Sequence, residues 1–364
     1  MLFLKKLAAT ILIFLLSSLL FLFTLEKSIF SFIFGIGIVI FVFFASAFLY
    51  SFKIGFFTSL ILPSTLLFNL TVCKIPSITA FAFFINLSLF SFILGYEKRK
   101  DIFIYLFYIS MAFAVMAKGI IGFILPFLIA FLFILIKDFK FLKEMKFIKG
   151  LFFFFIIILI WCGFLFYKTR EIPNFYQLLE FKRGNEKFYL YLFLPLFCFP
   201  WIGLLPHLLF IGYKQMINKQ LTNSEIFFWL WLLLFIIFFF STSQSIYFFS
   251  VILPSISFLL AISLEKMTDW AIKILLYFNA FLGLLLLFVG GAFFAHLEPK
   301  LAWISFFGFL PILNSYFGFF FYNRNKIMNA FLLQLLSGYG FILFLNYLWL
   351  PFAKHYNLVK SILG

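Results

Sequence analysis

A lysine followed by a glycine interrupts a long apolar stretch, and this pair is the strongest sign of chemistry in the sequence. Residues 102–136 form an apolar run of 35 positions whose one charge is Lys118, with Gly119 directly after it. A bilayer core about 30 Å thick needs only about 20 helical residues, so the run suits two short spans better than one. Glycine permits a tight turn between them. The pattern predicts a helical hairpin that presents the Lys118 ammonium at a membrane surface, where it could bind an anion.

A second group of charges lies in the connection 168–187, which follows a later apolar stretch. It carries five cations and three carboxylates: Lys168, Arg170, Lys182, Arg183 and Lys187 with Glu171, Glu180 and Glu186. Arg and Lys side chains suit the recognition of phosphate, and a carboxylate suits acid or base chemistry. Two interpretations stay open here: a site for an anionic ligand, or a solvated loop whose charges pair with one another.

The elements that must position these residues are membrane helices. The chain has 364 residues, of which 66% are hydrophobic and only 11% charged, and its mean hydropathy is +1.18. This balance excludes a water-soluble domain and predicts an all-α polytopic integral membrane protein. The sequence predicts 12 or 13 segments, at 7–24, 29–50, 54–72, 76–96, 102–117, 119–136, 148–167, 188–212, 225–241, 246–264, 270–295, 300–322 and 328–350.

No soluble domain or linker is evident, so we expect residues 1–364 to form one transmembrane domain. The net charge of +16 does not indicate nucleic acid, because basic residues beside membrane spans set orientation and contact anionic headgroups. The cysteines and histidines lack metal-ligand spacing. No nucleotide-binding glycine pattern is present.

Lysine and arginine are unevenly distributed between the two predicted membrane sides. One side holds 17 of the 28 cations and includes five lysines within 137–149, so we expect it to be cytoplasmic. The other side receives Lys74, the Lys118 tip, the 168–187 connection and the stretch from Ser241 to Tyr247. We expect these elements to line an outward-facing cleft for a lipid-linked phosphate.

The segment 188–212 is expected to be a broken helix, because Pro195, Pro200 and Pro206 each remove a backbone donor. Such breaks occur in membranes where protein or a cavity satisfies the freed carbonyl groups. Its aromatic residues Tyr189, Tyr191 and Trp201 either line the cleft or lie at the membrane interface.

Four stretches together resemble the bacterial C-type glycosyltransferases of family 39, which include lipid A aminoarabinose transferases and relatives of the protein O-mannosyltransferases. They are VMAKGIIGFILP at 115–126, the loop with EFKR at 180–183, YLYLFLPLFCFPWIGLLP at 189–206 and FFFSTSQSIYFFSVILP at 238–254. The resemblance runs from about residue 4 to residue 265. It implies transfer of a sugar from a polyprenyl-phosphate carrier to a lipid, glycan or protein acceptor, on the periplasmic side of the bacterial inner membrane.

The resemblance also implies roles for particular residues. Lys118, Lys182, Arg183 and Lys6 would bind the donor phosphate, and Glu180 would serve in acid or base catalysis or bind a divalent metal; no other cofactor is implied. The substrate pocket would include Lys74, Tyr189, Tyr191, Trp201 and Tyr247.

The sequence departs from the family pattern at its start. Family members carry one more span and then a loop whose Asp-Glu pair supplies the expected catalytic Asp, but no Asp precedes Asp101 here. Some relatives also carry a soluble C-terminal domain that this sequence lacks. Three explanations are open: an N-terminally truncated frame, which we favour, a diverged enzyme that uses Glu180, or an inactive relative. A transporter or flippase for lipid-linked sugars is the alternative from another functional class.

Overall fold

A computed structural model describes residues 29–169, 195–196, 198–242, 246–292, 305–324 and 326–344. The regular elements in these ranges are helices. They are α1 (Ile29–Leu49), α2 (Phe52–Ser64), α3 (Leu66–Lys74), α4 (Pro76–Lys98), α5 (Asp101–Lys118), α6 (Ile121–Lys137), α7 (Phe147–Thr169), α8 (Leu205–Ile217), α9 (Asn223–Thr242), α10 (Leu253–Glu265), α11 (Asp269–Leu285), α12 (Phe309–Tyr322) and α13 (Ile327–Phe344). Short 3₁₀ segments lie at Phe139–Lys143, Trp201–Leu204 and Ile246–Ile252.

The described helices include eight that are long and apolar enough to cross a membrane. The bent pair α2–α3 would make a ninth span, and Ile121–Lys137 and Asn329–Ile342 are shorter apolar helices. The expectation of an all-α integral membrane protein is confirmed. The total of 12 or 13 segments stays a prediction, because segment 7–24 and much of 188–212 lie outside the described residues.

The predicted segment 54–72 is a bent pair of helices, and the sequence interpretation did not anticipate the bend. Helices α2 and α3 meet at an angle of 63°, directly after Pro63, which has no N–H to continue the helical ladder. Side chains satisfy the carbonyl groups that the bend frees. The amide of Asn69 donates to the carbonyls of Pro63 and Thr65 at 2.5 and 3.0 Å, and the Thr65 hydroxyl donates to Leu62 at 2.7 Å.

Aromatic rings fill the centre of the helix bundle. Phe228 of α9 lies 4.1 Å from Phe258 of α10 and 5.0 Å from Phe90 of α4, measured between ring centroids. All three side chains are fully buried. Because aromatic pairs gain energy beyond their buried area when offset or tilted, these contacts hold three helices around one core.

Ion pairs connect the loops at one end of the bundle. Arg99, in the α4–α5 turn, contacts Asp138 at 3.2 Å and Glu144 at 2.8 Å in the α6–α7 connection. Three further pairs join neighbouring connections: Lys146 with Asp101, Lys266 with Glu225, and Lys53 with Glu265. All four cations belong to the side that the sequence assigns to the cytoplasm. The structure confirms that these loops share one surface.

A buried polar layer joins the three helices α11, α12 and α13. The amide of Asn279 donates to Gln334 Oε1 at 2.8 Å, and the amide of Gln334 donates to the carbonyl of Asn314 at 3.3 Å. The Asn314 amide in turn donates to Ser337 Oγ at 2.9 Å. All four side chains are buried. Interhelical hydrogen bonds of this kind add to the packing that holds membrane helices together.

Candidate functional site

The Lys118-Gly119 pair forms the tip of a helical hairpin, as the sequence predicts. Helix α5 ends at Lys118, and Gly119 adopts a φ of 78°, which glycine reaches without steric cost. A second glycine, Gly122, lets the two helices approach closely. A Cβ added there would lie 2.4 Å from the carbonyl carbon of Ala114, so a larger residue would push the hairpin apart.

The Lys118 side chain is exposed at the tip and lies beside an aromatic ring. Its Nζ is 5.8 Å from the centroid of Phe248, a distance at which a cation–π attraction operates. Phe248 is 5% exposed and packs against Phe81, near the start of α4, with ring centroids 5.3 Å apart. The ammonium is therefore held over a fixed apolar base and leaves one face open to a ligand.

Phe248 belongs to the 3₁₀ segment Ile246–Ile252, which the sequence interpretation treated as the start of a regular span. Pro254 lies in the first turn of α10. Because proline suits the start of a helix and not its interior, the regular helix begins only at Leu253. The segment packs against α3, α4, α9 and α10. The half-buried Tyr247, a predicted pocket residue, is next to Phe248, so the structure brings Lys118 and the Tyr247 segment together.

Helix α7 reaches this end of the bundle as well. Phe127 and Phe123 of α6 contact Phe147 and Phe154 of α7, so α7 runs toward the hairpin tip. From Phe154 the helix continues to Thr169, about 22 Å. The charged connection that follows α7 therefore starts beyond the level of Gly119.

Several predicted site residues lie outside the described part of the chain: Lys6, Glu180, Lys182, Arg183, Tyr189 and Tyr191. Their roles stay predictions. Lys74 is the last residue of α3, and α3 packs against the Ile246–Ile252 segment. The end of α3 is thereby brought to the same end of the bundle as the tip.

Trp201 occupies the interior of the protein. Its indole Nε1 donates to Ser64 Oγ at 2.8 Å, and its ring stacks on Phe331 with centroids 4.7 Å apart. The side chain is fully buried. The break predicted within 188–212 is confirmed, because a 3₁₀ turn at Trp201–Leu204 precedes α8. A role for Trp201 in the substrate pocket stays a prediction.

Metal-binding geometry is absent from the described residues, which contain no group of three His, Cys, Asp or Glu that could hold an ion. Glu180, which the sequence interpretation connects with a divalent metal, lies outside them.

Comparison with solved structures reveals the fold. The crystal structure of ArnT from Cupriavidus metallidurans in the apo state superposes with a TM-score of 0.69 at 16% identity, over 85% of this chain and 61% of that one. The structure of the same protein bound to undecaprenyl phosphate gives a TM-score of 0.70 at 15% identity, over 86% and 62%. The chain has the fold of a C-type glycosyltransferase.

This likeness establishes the fold alone, since the identity is so low, and the chain spans about three fifths of the length of ArnT. No protein-family model matches the sequence, and no curated protein matches it. The resemblance that the sequence stretches indicate is thus supported at the level of architecture.

Sequence reasoning missed Phe248 as the base under Lys118 and Ser64 as the partner of Trp201. Both pairs join residues more than 100 positions apart. A basic residue followed much later by an aromatic run carries no signal of contact. The one local signal for the Ser64 region was Pro63 inside an apolar segment, which marks a bend.

Proposed function

We propose that this protein is a membrane glycosyltransferase. It takes a sugar from a polyprenyl-phosphate carrier and transfers it to a lipid, glycan or protein acceptor at the end of the bundle that carries Lys118. The enzyme acts in the bacterial inner membrane, and this end faces the periplasm. Lipid A is among the acceptors that we propose.

The observation that carries the proposal is the fold, which this chain shares with a protein crystallised with undecaprenyl phosphate. The position of Lys118 supports it. An exposed ammonium at a helical tip, with an aromatic ring on one side, suits a phosphate at the membrane surface. Lys182, Arg183 and Lys6 are proposed to complete the phosphate site, and Lys74, Tyr189, Tyr191 and Tyr247 the pocket around the sugar. Trp201 is fully buried, so we do not include it among the residues that contact the sugar.

The chemistry requires a leaving group and a base. The acceptor oxygen or nitrogen attacks the anomeric carbon, the bond from that carbon to the phosphate oxygen breaks, and the carrier phosphate departs with the electron pair. Cations beside the phosphate stabilise the charge that develops on it. The acceptor proton passes to a carboxylate, for which we propose Glu180.

A second candidate function is binding of the carrier lipid without transfer. The sequence favours it in one respect, because Glu26 is the only acidic residue among the first 90 positions. A protein of this kind would bind the polyprenyl phosphate but leave the glycosyl bond intact.

One experiment separates the two functions. The purified full chain in lipid nanodiscs is incubated with a panel of undecaprenyl-phosphate sugars together with lipid A, glycan and peptide acceptors, and both carrier binding and release of undecaprenyl phosphate are measured. The enzyme releases the carrier phosphate, and release stops when Glu180 is replaced by Gln. Binding without release supports the second candidate, and absence of binding contradicts both.

A further inference from the structure

A cavity of about 560 Å³ opens at the end of the bundle opposite Lys118. It lies between the start of α2, the α10–α11 turn and the start of α13. The mouth carries Lys53, Glu265 and Lys326, and the interior is apolar, with Phe57 and Phe331 among its walls. The volume falls within the range of small-molecule sites in proteins.

The apolar walls form a fixed surface. The rings of Phe57 and Phe331 pack edge to face with centroids 5.4 Å apart, and both side chains are nearly fully buried. The wall therefore belongs to the packed core of the protein. A ligand entering from the mouth would meet hydrocarbon on this side.

The charges at the mouth leave a net positive balance. Lys53 contacts Glu265 at 3.4 Å, with 56% and 35% of these side chains exposed. Lys326 lines the same cavity, is exposed, and forms no ion pair within the described residues. Two cations and one carboxylate give a formal charge of +1, which a single monoanion would neutralise.

The position of α13 adds to the positive charge at the cavity mouth. The helix begins at Ile327, directly after Lys326, and Ile327 and Asn329 also line the cavity. The N-terminal end of a helix carries partial positive charge, so it favours an anion at the cavity mouth, as Lys53 and Lys326 also do.

We propose that this cavity binds one anionic phospholipid of the adjoining leaflet. The phosphodiester sits between Lys53 and Lys326, and the hydrocarbon of the lipid contacts the apolar walls. A basic pocket between membrane helices is the kind of site that recognises anionic headgroups. The apolar interior favours a lipid over a free phosphate ion. This site is independent of the glycosyl-transfer function proposed above.

The test uses the purified full chain and native mass spectrometry in detergent with phosphatidylglycerol and phosphatidylcholine at equal concentration. We expect one phosphatidylglycerol to be retained in preference to phosphatidylcholine. Lys326→Ala should weaken its binding about fivefold, the effect of one cation near a lipid surface. Glu265→Gln removes the competing carboxylate and should strengthen binding by a similar factor.

The matched control is Lys143→Ala, which removes an exposed lysine from the same end of the bundle outside the cavity. It should leave lipid retention unchanged. Equal losses in Lys143→Ala and Lys326→Ala would mean diffuse surface attraction and would overturn the proposal. So would displacement of the bound species by excess glycerol 1-phosphate, because that result identifies a site for a small soluble anion. Glu265→Gln is expected to bind phosphatidylglycerol more strongly, and a variant that failed to fold could not produce that result.

Discussion

The indole Nε1 of Trp201 donates a hydrogen bond to Ser64 Oγ at 2.8 Å, at the bend between α2 and α3. The Ser64 hydroxyl in turn donates to the carbonyl of Ile61 at 2.7 Å. A residue that follows the long charged connection is thus tied to a helix break 137 positions earlier in the chain. The pair fixes the broken segment against the core.

Removing this hydrogen bond should loosen the bend. Trp201→Phe keeps an aromatic ring against Phe331 but has no N–H, so we expect the free energy of unfolding to fall by about 1 kcal/mol. Thermal unfolding in detergent, followed for Trp201→Phe, Ser64→Ala and the double variant, measures the coupling between the two side chains. A coupling energy of zero would show that the contact contributes nothing to stability.

The proposed donor site depends on the charge at the hairpin tip. Lys118→Ala should lower kcat/KM for an undecaprenyl-phosphate sugar about 100-fold, because a cation that stabilises the leaving phosphate is lost. Lys118→Arg keeps the charge and should retain more activity. The Lys143→Ala variant at the opposite end serves as the control. Unchanged kinetics in Lys118→Ala would remove this residue from the site.

Two glycines on α7 should respond differently to replacement by alanine. A Cβ at Gly150 would lie 2.2 Å from the ring of Tyr108. Tyr108 is fully buried, and its hydroxyl donates a hydrogen bond to the carbonyl of Met145 at 3.2 Å. Gly150→Ala should therefore destabilise the protein by about 1–3 kcal/mol. At Gly163 no atom beyond the adjoining residues and the backbone of its own helix lies within 4 Å of such a Cβ, so Gly163→Ala should be tolerated. Equal unfolding midpoints for the two variants would contradict this packing.

The orientation of the bundle can be measured with single cysteines. After Cys73, Cys162 and Cys198 are replaced by Ala, a cysteine at position 118 should react with a membrane-impermeant maleimide in intact spheroplasts. A cysteine at position 143 should react only after permeabilisation. The reverse pattern would place the proposed donor site on the cytoplasmic side and contradict the periplasmic assignment.

Much of the fold follows from hydropathy alone, because a bilayer requires long apolar helices. The predicted segment 76–96 became α4 (Pro76–Lys98), and 102–117 became α5 (Asp101–Lys118). The hairpin was predictable because a charge is costly inside a membrane-spanning helix and the glycine beside it permits a tight turn. The charged loops were predicted to share one surface because successive connections lie on alternate sides of the membrane.

Other features were beyond reach because membrane sequences carry little information about which faces meet. The segment 246–264 reads as one apolar stretch, yet its first seven residues form a 3₁₀ turn. The contact of Lys118 with Phe248 depends on that turn. Hydropathy treats both halves of the segment alike, so only the proline at position 254 indicated where the regular helix begins.

The amides shared by α11, α12 and α13 have a consequence for biogenesis. Asn279 emerges from the ribosome 55 residues before its partner Gln334, so we expect α11 to carry an amide without this partner until α13 is made. That side chain favours retention beside the insertion channel until α13 arrives. Release of these three helices into the bilayer should therefore occur as one event, timed by the synthesis of α13.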